Sequence, residues 1–292
     1  MGFCTLPMSL LEKRIRNLSE GLSLAVTRLA DEVSPKQVHR LRTTIRRIES
    51  LVAYAHPVLG RKQERALATL AALRKRAGKV RDLEVQMSLL GAIANGSTAG
   101  DRRVLMDLLK EKRAKQAERV GSAIRKLQGS KFFAHLHRIG EKAAAARLSL
   151  EPSAAPAEQA RQKLSNLAAE FMSQQPIKPR LLHQVRIRMK MIRYLAELGD
   201  ESAEQQSFLN TLKSVQDALG AWHDWEELAK TAEKQFGDRV NCPLLVEVRA
   251  LFAAKYSAAT AAVAHLFSLD SAAPARKQPR SSHSPRALAQ RA

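Results

Sequence analysis

Aromatic side chains are scarce in this 292-residue chain, which contains 8 Phe, 3 Tyr and 2 Trp. Proteins that bind single-stranded nucleic acids generally stack the bases on aromatic side chains. A basic surface without such platforms holds phosphates and little else, so the shortage argues against base recognition. We expect Trp222 and Trp225 to lie in the core rather than on a binding surface.

Cysteines and long apolar runs are also nearly missing. Cys4 and Cys242 are the two cysteines, too few for a disulfide framework or a four-cysteine zinc site. No apolar run reaches the roughly 18 residues that a membrane span needs, and residues 1–11 lack the basic segment and apolar core of a signal peptide. We therefore expect a protein of the reducing cytoplasm with no membrane partner.

Acidic residues are few relative to basic ones. The chain has 28 Asp and Glu against 49 Lys and Arg, which leaves a formal net charge of +21. The excess is concentrated in residues 1–150, which carry a net charge of +17, whereas residues 151–292 carry +4. Solubility alone does not require such a bias. A charge of this size indicates a polyanionic partner such as nucleic acid, acidic membrane or polyphosphate.

Helix-forming residues, by contrast, are abundant. Between Ser9 and Phe267 the residues Ala, Leu, Arg, Lys, Glu and Gln dominate, and no stretch alternates apolar and polar residues over the length of a strand. Ser34 before Pro35, and Ser202 three residues before Gln205, are typical of helix starts. The pattern predicts an all-α protein with nine helices, over residues 9–30, 35–55, 60–93, 100–128, 131–148, 157–174, 179–198, 203–235 and 243–268.

Two motifs recur in the same order in the two halves of the chain. Residues 38–46 align with residues 182–190 at an offset of 144. Residues 78–84 align with residues 220–226 at an offset of 142. Two motifs at nearly the same offset indicate an internal duplication. We expect two similar helical halves related by a pseudo-two-fold axis and joined by a linker over residues 151–156.

Each copy of the first motif places cations beside an apolar helix stripe. The apolar positions are Val38, Leu41, Ile45, Ile48 and Val52 in the first copy and Leu182, Val185, Met189 and Ile192 in the second. His39, Arg42 and Arg46 lie on the flank of the first stripe, and the second copy repeats this arrangement. The cations could face solvent, as most charge runs do, or line a groove. Few carboxylates stand where they would neutralise them, which favours a groove that holds an anion.

The second motif places a cation beside an acid shortly after a glycine. The pair is Arg81 and Asp82 in the first half, and His223 and Asp224 in the second. The aspartate either orients the neighbouring cation or caps a helix, and the sequence leaves both roles open.

The ordered motifs resemble those of the CHAD family, the conserved-histidine α-helical domain. The resemblance covers about residues 8–268. It rests on the two His-x-x-Arg-x-x-x-(Arg/Lys) helices, on Gly78-Lys-Val-Arg-Asp-Leu-Glu84, on Leu219-Gly-Ala-Trp-His-Asp224 and on Lys190-x-x-Arg-Tyr-x-x-Glu197. It implies two antiparallel helical bundles around a basic central cavity, binding of inorganic polyphosphate and, in bacteria, association with polyphosphate granules.

The resemblance also implies which side chains bind polyphosphate. They are His39, Arg42, Arg46, Lys79, Arg81, His183, Arg186, Lys190 and Arg193, to which the helix pattern adds Arg74, one heptad before Arg81. In the second half His223 stands in place of Arg81, and Ala221 in place of Lys79. We therefore expect the second half to hold phosphate more weakly. Binding should also weaken as the pH rises through the histidine range near 6.5.

The domain organisation predicted from the sequence has three parts. Residues 8–150 form the first helical half of the CHAD domain, and residues 157–268 form the second. Residues 271–292 contain three Pro, five basic residues and no acidic ones, a composition typical of a disordered basic tail.

No catalytic residue, metal site or cofactor is expected. The chain lacks a Gly-x-x-x-x-Gly-Lys-(Ser/Thr) phosphate loop and the Glu-x-Glu-x-Lys signature of the triphosphate-hydrolysing domain found in some relatives. His223 beside Asp224 is a weak metal signal, because no further His and Asp stand at suitable spacing. The sequence predicts a non-enzymatic cytoplasmic protein that binds inorganic polyphosphate, at polyphosphate granules. The alternative is a nucleic-acid-binding protein, for RNA or DNA, that uses the same basic patch and tail.

Overall fold

A computed structural model describes residues 10–94, 96–128, 130–149, 155–174, 177–239 and 241–272. Over these ranges the chain forms nine helices and no strand, which confirms the all-α prediction. The helices are α1 (Leu10–Asp31), α2 (Pro35–Ala55), α3 (Arg61–Ala92), α4 (Ala99–Leu127), α5 (Phe132–Ser149), α6 (Pro156–Met172), α7 (Pro179–Ala196), α8 (Ala203–Phe236) and α9 (Pro243–Ala272). Each predicted helix is present, with ends that differ by at most four residues.

The helix starts at α2 and α8 show how local sequence sets the boundaries. The Ser202 hydroxyl accepts a hydrogen bond from the backbone N–H of Gln205 at 3.2 Å, as an N-cap does. Ser34 occupies the N-cap position of α2, but its hydroxyl makes no capping bond. Pro35 follows as the first helical residue, and its fixed φ preorganises the first turn. Helix α2 therefore begins at the predicted residue without the side-chain cap.

The two halves share one arrangement of neighbouring helices. Helices α1 to α4 pack in a ring, in which each contacts the next and α4 returns to α1, and helices α6 to α9 repeat this order. Helix α5 is additional and packs against α1, α2 and α3. The apolar stripes of α2 and α7 lie inside the two rings, since Leu41, Ile45, Val185 and Met189 are fully buried. The pseudo-two-fold axis itself stays a prediction.

The two halves meet through the helices that carry the duplicated motifs. Helix α2 contacts α7, and helix α3 contacts α8. A shared apolar cluster joins Leu90 and Leu105 from the first half to Trp225 and Leu245 from the second. Trp222 and Trp225 are both buried, which confirms their predicted place in the core. The contacts fix α2 and α7 side by side, with their cationic flanks near each other.

Most of the predicted linker and tail lies outside the described residues, which end before residue 150 in the first half and at residue 272 in the second. Within the predicted linker, Pro156 is already the first residue of α6. At the predicted start of the tail, Ser271 and Ala272 belong to α9. The domain boundaries stay predictions.

Helix α9 is, among the described helices, the one that is long and apolar enough to cross a membrane by length and composition alone, over Pro243–Ser268. Its side chains Leu244 and Val248 pack in the cluster shared by the two halves, and Val263 and Phe267 pack in the core of the second half. The apolar window of α9 is 22% buried, so most of it is not covered by the rest of the described fold. The absence of a membrane partner stays a prediction.

Candidate functional site

The cationic flanks of α2 and α7 enclose a cavity of about 480 Å³, which we term the central cavity. The apolar side of α2 packs into the first core, and that of α7 packs into the second. The polar flanks of both helices are therefore left at the junction. The basic side chains that line the central cavity are Arg46 and Arg74 from the first half, and His183, Arg186, Lys190 and His223 from the second.

Three further predicted residues, Arg42, Arg81 and Arg193, cluster around His39 beside this junction. The pKa of His39 is lowered from its usual value first by burial and then by the charges of Arg81, Arg42 and Arg193. These three guanidinium groups come from α3, α2 and α7, so three helices contribute to the cluster. Arg42 also acts on the Lys190 ammonium. A charge of this cluster therefore acts on a side chain that lines the central cavity.

Lys79 is the predicted site residue that the structure places elsewhere. It is exposed and lines a separate hollow of about 580 Å³ between α3 and α4, with Arg76, Arg119 and Lys126. Two residues on a helix differ by about 200° in direction, so Lys79 and Arg81 point to opposite sides of α3. The expectation that Lys79 lines the central cavity is corrected by this geometry.

The central cavity concentrates positive charge that has no carboxylate partner. Arg46, Arg186 and Lys190 form no ion pair within 4 Å among the described residues. The Nε atoms of Arg42 and Arg186 are buried and lack a hydrogen-bond partner. A buried N–H without an acceptor costs free energy, and a guanidinium always carries its charge. These guanidinium groups therefore have hydrogen-bonding capacity that the described part of the chain does not use.

Other cations at the junction are neutralised. Arg74 pairs with Glu49 at 2.9 Å. Glu197, the residue that follows α7, contacts Arg47 of α2 at 2.8 Å and Arg193 of α7 at 3.8 Å. The contact between Arg47 and Glu197 ties α2 to the end of α7. Among the Arg and Lys side chains that line the cavity, Arg46, Arg186 and Lys190 are therefore the ones without an ion pair.

Asp82 and Asp224 are the acids of the second motif, and both lie within helices. Neither is at a helix end, since α3 runs from Arg61 to Ala92 and α8 from Ala203 to Phe236. The capping role left open by the sequence is therefore wrong. Asp82 Oδ1 lies 3.6 Å from Arg42 Nη1. Burial raises the pKa of both carboxyl groups, and the nearby Arg186 opposes this in each case.

The pKa of Lys190 is lowered by burial and by the cations around it. The pKa of Lys190 is lowered to about 7, first by burial and then by Arg186, Arg46 and Arg42, while Asp224 opposes the shift. Burial is also the largest cause that lowers the pKa of Arg42 and Arg186. The charges repel one another when no anion is present, so binding of an anion relieves a strain that the fold imposes.

The histidines of the site are neutral at pH 7. The pKa of His223 is lowered to about 3, first by burial and then by Arg186 and other cations. The pKa values of His183 and His39 are also lowered, again with burial as the largest cause. A neutral imidazole offers one N–H donor and one nitrogen acceptor rather than a positive charge.

Three donors that the sequence analysis did not group lie together at the α7–α8 contact. One ligand atom each from His183, His223 and Glu226 lies within 4.8 Å of the others. The rings of His183 and His223 are 5.5 Å apart, and His223 Nδ1 is 3.4 Å from Glu226 Oε2. The sequence signal was present in the His-x-x-Glu spacing of α8, which puts both side chains on one helix face. Such a set can hold a metal ion.

Aromatic platforms are missing from the surface in the part of the chain that the structure describes. No described Phe, Tyr or Trp is among the exposed side chains. Bases therefore find no stacking surface there. The arrangement is suited to phosphate oxygens.

Two solved structures share the fold. A CHAD domain from the plant Ricinus communis is 18% identical, covers 89% of this chain and 90% of its own, and has a TM-score of 0.59. PptA from Streptomyces chartreusis is 19% identical, covers 89% of this chain and 98% of its own, and has a TM-score of 0.56. No curated protein matches the chain. The sequence model of the CHAD domain matches residues 11–233, which is more than half of the chain, and the chain therefore belongs to the CHAD domain family.

Proposed function

We propose that the central cavity binds inorganic polyphosphate and does not cleave it. CHAD domains are polyphosphate-binding helical domains, and the chain belongs to that family. The observation that carries the proposal for this chain is the unpaired charge of Arg46, Arg186 and Lys190 inside one cavity. Three cations without carboxylates, at the contact between two helix bundles, select a ligand with closely spaced negative charges.

The chemistry of the side chains fits a chain of phosphates. Arginine presents a planar fork that binds two non-bridging oxygens at once, and lysine acts as a point charge. The guanidinium groups of Arg46 and Arg186, which line the cavity and form no ion pair among the described residues, would each donate to phosphate oxygens. Each such charge-assisted contact contributes about 1.5–3 kcal/mol, and counterions released along the polyanion add to the affinity.

Nucleic acid is the second candidate, and the site favours it less. A nucleic acid would supply phosphates to the same cations, but its bases would find no exposed Phe, Tyr or Trp on which to stack among the described residues. We therefore expect polyphosphate to displace RNA or DNA of equal phosphate content from the chain, whereas neither nucleic acid displaces polyphosphate.

We also propose that the protein binds polyphosphate at polyphosphate granules in the cytoplasm. The chain should release no phosphate from polyphosphate, with or without added divalent metal ions. A fluorescent fusion of the full chain should gather on granules in a polyphosphate-accumulating bacterium and disperse when Arg46 and Arg186 are both changed to Ala. Phosphate release that depends on the cavity residues would contradict the binding role.

The direct test compares two double variants that remove equal charge. Arg46→Ala with Arg186→Ala alters the central cavity, and Arg76→Ala with Lys79→Ala alters the outer hollow between α3 and α4. Affinity for labelled polyphosphate, measured by anisotropy over a salt series, should fall at least about tenfold in the cavity variant and less than about threefold in the control. Equal losses in the two variants would show that net charge, not the cavity, binds the polyanion.

A further inference from the structure

The donors of His183, His223 and Glu226 converge from two helices at one edge of the central cavity. His183 is on α7, and His223 and Glu226 are on α8. The His223 and Glu226 side chains share a face because they are three residues apart, an arrangement that bundle proteins also use to ligate metals. All three side chains are partly buried, which restricts the rotamers that they sample.

Two imidazoles and one carboxylate define the class of ion. Imidazole nitrogen suits zinc, cobalt, nickel and copper, whereas magnesium and calcium prefer oxygen ligands throughout. Three protein ligands leave a fourth position of a tetrahedral ion open. His183 and His223 also line the central cavity, so the open position faces the space assigned to polyphosphate.

The positive charges around His183, His223 and Glu226 oppose the binding of a metal ion unless an anion is bound nearby. Arg186 and Lys190 line the same cavity, and Lys230 Nζ lies 3.3 Å from Glu226 Oε1. These cations repel a divalent ion when the cavity is free. A phosphate chain on Arg186 and Lys190 would cancel that repulsion and would bring an oxygen to the open position.

We propose that His183, His223 and Glu226 hold a zinc-class transition-metal ion against an oxygen of polyphosphate bound in the central cavity, so that the metal and the anion bind cooperatively. This proposal rests on the proposed function of the cavity. The coupling is reciprocal: the factor by which polyphosphate tightens metal binding equals the factor by which the metal tightens polyphosphate binding.

The tryptophans provide a local probe for the metal. The ring centroid of Trp222 lies 6.4 Å from that of His223, and Trp222 and Trp225 are the two tryptophans of the chain. A paramagnetic Co²⁺ ion at the cluster quenches their fluorescence, whereas Co²⁺ held by polyphosphate elsewhere does not. The full chain is titrated with Co²⁺, with and without polyphosphate, at free Co²⁺ concentrations fixed by a metal buffer. We expect polyphosphate to raise the Co²⁺ affinity at least about fivefold, and Zn²⁺, but not Mg²⁺, to reverse the quenching.

Variants separate the cluster from the rest of the cavity. His223→Asn and Glu226→Gln should each weaken the Co²⁺ response at least about tenfold, since each removes a ligand. His137→Asn removes an exposed histidine of α5 that also lies beside a glutamate, 3.3 Å from Glu141, and should keep the response. Helix content measured by circular dichroism confirms that each variant is folded. A response that survives in both folded cluster variants overturns the proposal.

The two proposals fail in different ways. Polyphosphate affinity measured in EDTA tests the cavity alone. Binding in EDTA without any metal-dependent quenching overturns the metal site and leaves the proposed function intact. Co²⁺ affinity that is the same with and without polyphosphate overturns the cooperativity. Absence of binding in EDTA overturns the proposed function, and with it the coupling.

Discussion

The Arg42 guanidinium lies 3.6 Å from the Asp82 carboxylate, between α2 and α3. The duplicated pair, Arg186 and Asp224, makes no such contact within 4 Å, although Asp224 lies near enough to raise the pKa of Arg186 against the effect of burial. Part of the charge of Arg42 is thus already satisfied inside the protein, whereas Arg186 keeps its charge for a ligand. The two halves of the cavity therefore differ in whether the arginine of the first motif contacts the aspartate of the second motif.

This difference predicts which half dominates binding. The sequence predicts that the first half holds phosphate more strongly, because it has Arg81 and Lys79 where the second half has His223 and Ala221. The contacts argue for the reverse, since Arg186 and Lys190 lack carboxylate partners. We expect Arg186→Ala with Lys190→Met to reduce polyphosphate affinity about tenfold or more. The pair Arg42→Ala with Arg46→Ala should also reduce it about tenfold, but less than the α7 pair does.

Both double variants are titrated by calorimetry with polyphosphate of one defined chain length. The measurement shows whether the α2 pair or the α7 pair contributes more to the affinity. At pH 6, below the pKa of about 7 of Lys190, each variant removes two charges from equivalent helices, so net charge is matched between them. A larger loss in the α2 variant would restore the order expected from the sequence.

The sequence was sufficient for the helices and for the faces that line the cavity, and insufficient for the partners of each side chain. Periodicity placed Leu41 and Val185 in the cores because burial of an apolar stripe is a property of one helix. His39 and His183 occupy equivalent sequence positions but have different neighbours, three guanidinium groups in the first case and His223 with Glu226 in the second. Those neighbours depend on how α3, α7 and α8 pack, which helical periodicity does not encode.

Lys190 is predicted to stabilise the complex and to destabilise the free protein. Its ammonium is held beside Arg46 and Arg186 in a partly buried position, and its pKa is lowered to about 7. Lys190→Met keeps an unbranched side chain one atom shorter and removes the charge. We expect the Tm of the free protein at pH 7 to rise by roughly 2–4 °C, the shift that about 1 kcal/mol produces in a chain of this size, while polyphosphate affinity falls.

The same group makes stability depend on pH. The pKa of Lys190 is near 10.5 in the unfolded chain and about 7 in the folded one, so between these values the unfolded chain binds more protons. The unfolding free energy contributed by this group therefore rises as the pH increases from 7 towards 10. Differential scanning fluorimetry at pH 7 and pH 9 should show a smaller rise in Lys190→Met than in the parent chain. An identical rise in both would assign the effect to other groups.

Polyphosphate binding should depend on pH with the opposite sign. A bound polyanion favours the charged ammonium of Lys190, which in the free cavity faces Arg186 on its own helix, Arg42 and Arg46 on α2, and Asp224 on α8. Below pH 7 the ammonium is already charged. Above pH 7 it must take up a proton on binding, so affinity should fall by up to about tenfold per pH unit.

The pH range of this effect differs from the one expected from the sequence. The pKa of His223 is lowered to about 3, and the pKa values of His39 and His183 are also lowered, so the titration of the histidines moves below the range near 6.5. Affinity measured from pH 6 to pH 9 should be nearly flat up to pH 7 and should decline above it, and Lys190→Met should abolish the decline. A decline centred at or below pH 6.5 that survives in Lys190→Met would assign the titration to the histidines.

The carboxylates of the second motif should limit the affinity of the cavity. Asp82 lies 3.6 Å from Arg42, and its pKa is raised by burial against the influence of Arg42, Arg186 and Lys190. A phosphate chain that approaches these cations is repelled by the carboxylate. Asp82→Asn keeps the shape of the side chain and removes the charge, so we expect polyphosphate affinity to rise about threefold to fivefold, the effect of a charge interaction of up to about 1 kcal/mol.

The result also decides whether Asp82 orients Arg42. If the carboxylate held the guanidinium in its binding position, Asp82→Asn would lower the affinity, and added salt would not remove the difference. If repulsion dominates, the gain should shrink as salt screens the charges. Asp224→Asn is the matched variant in the second half, where no aspartate–arginine contact within 4 Å is formed. A gain in Asp224→Asn with a loss in Asp82→Asn would establish the 3.6 Å contact as a positioning interaction confined to the first half.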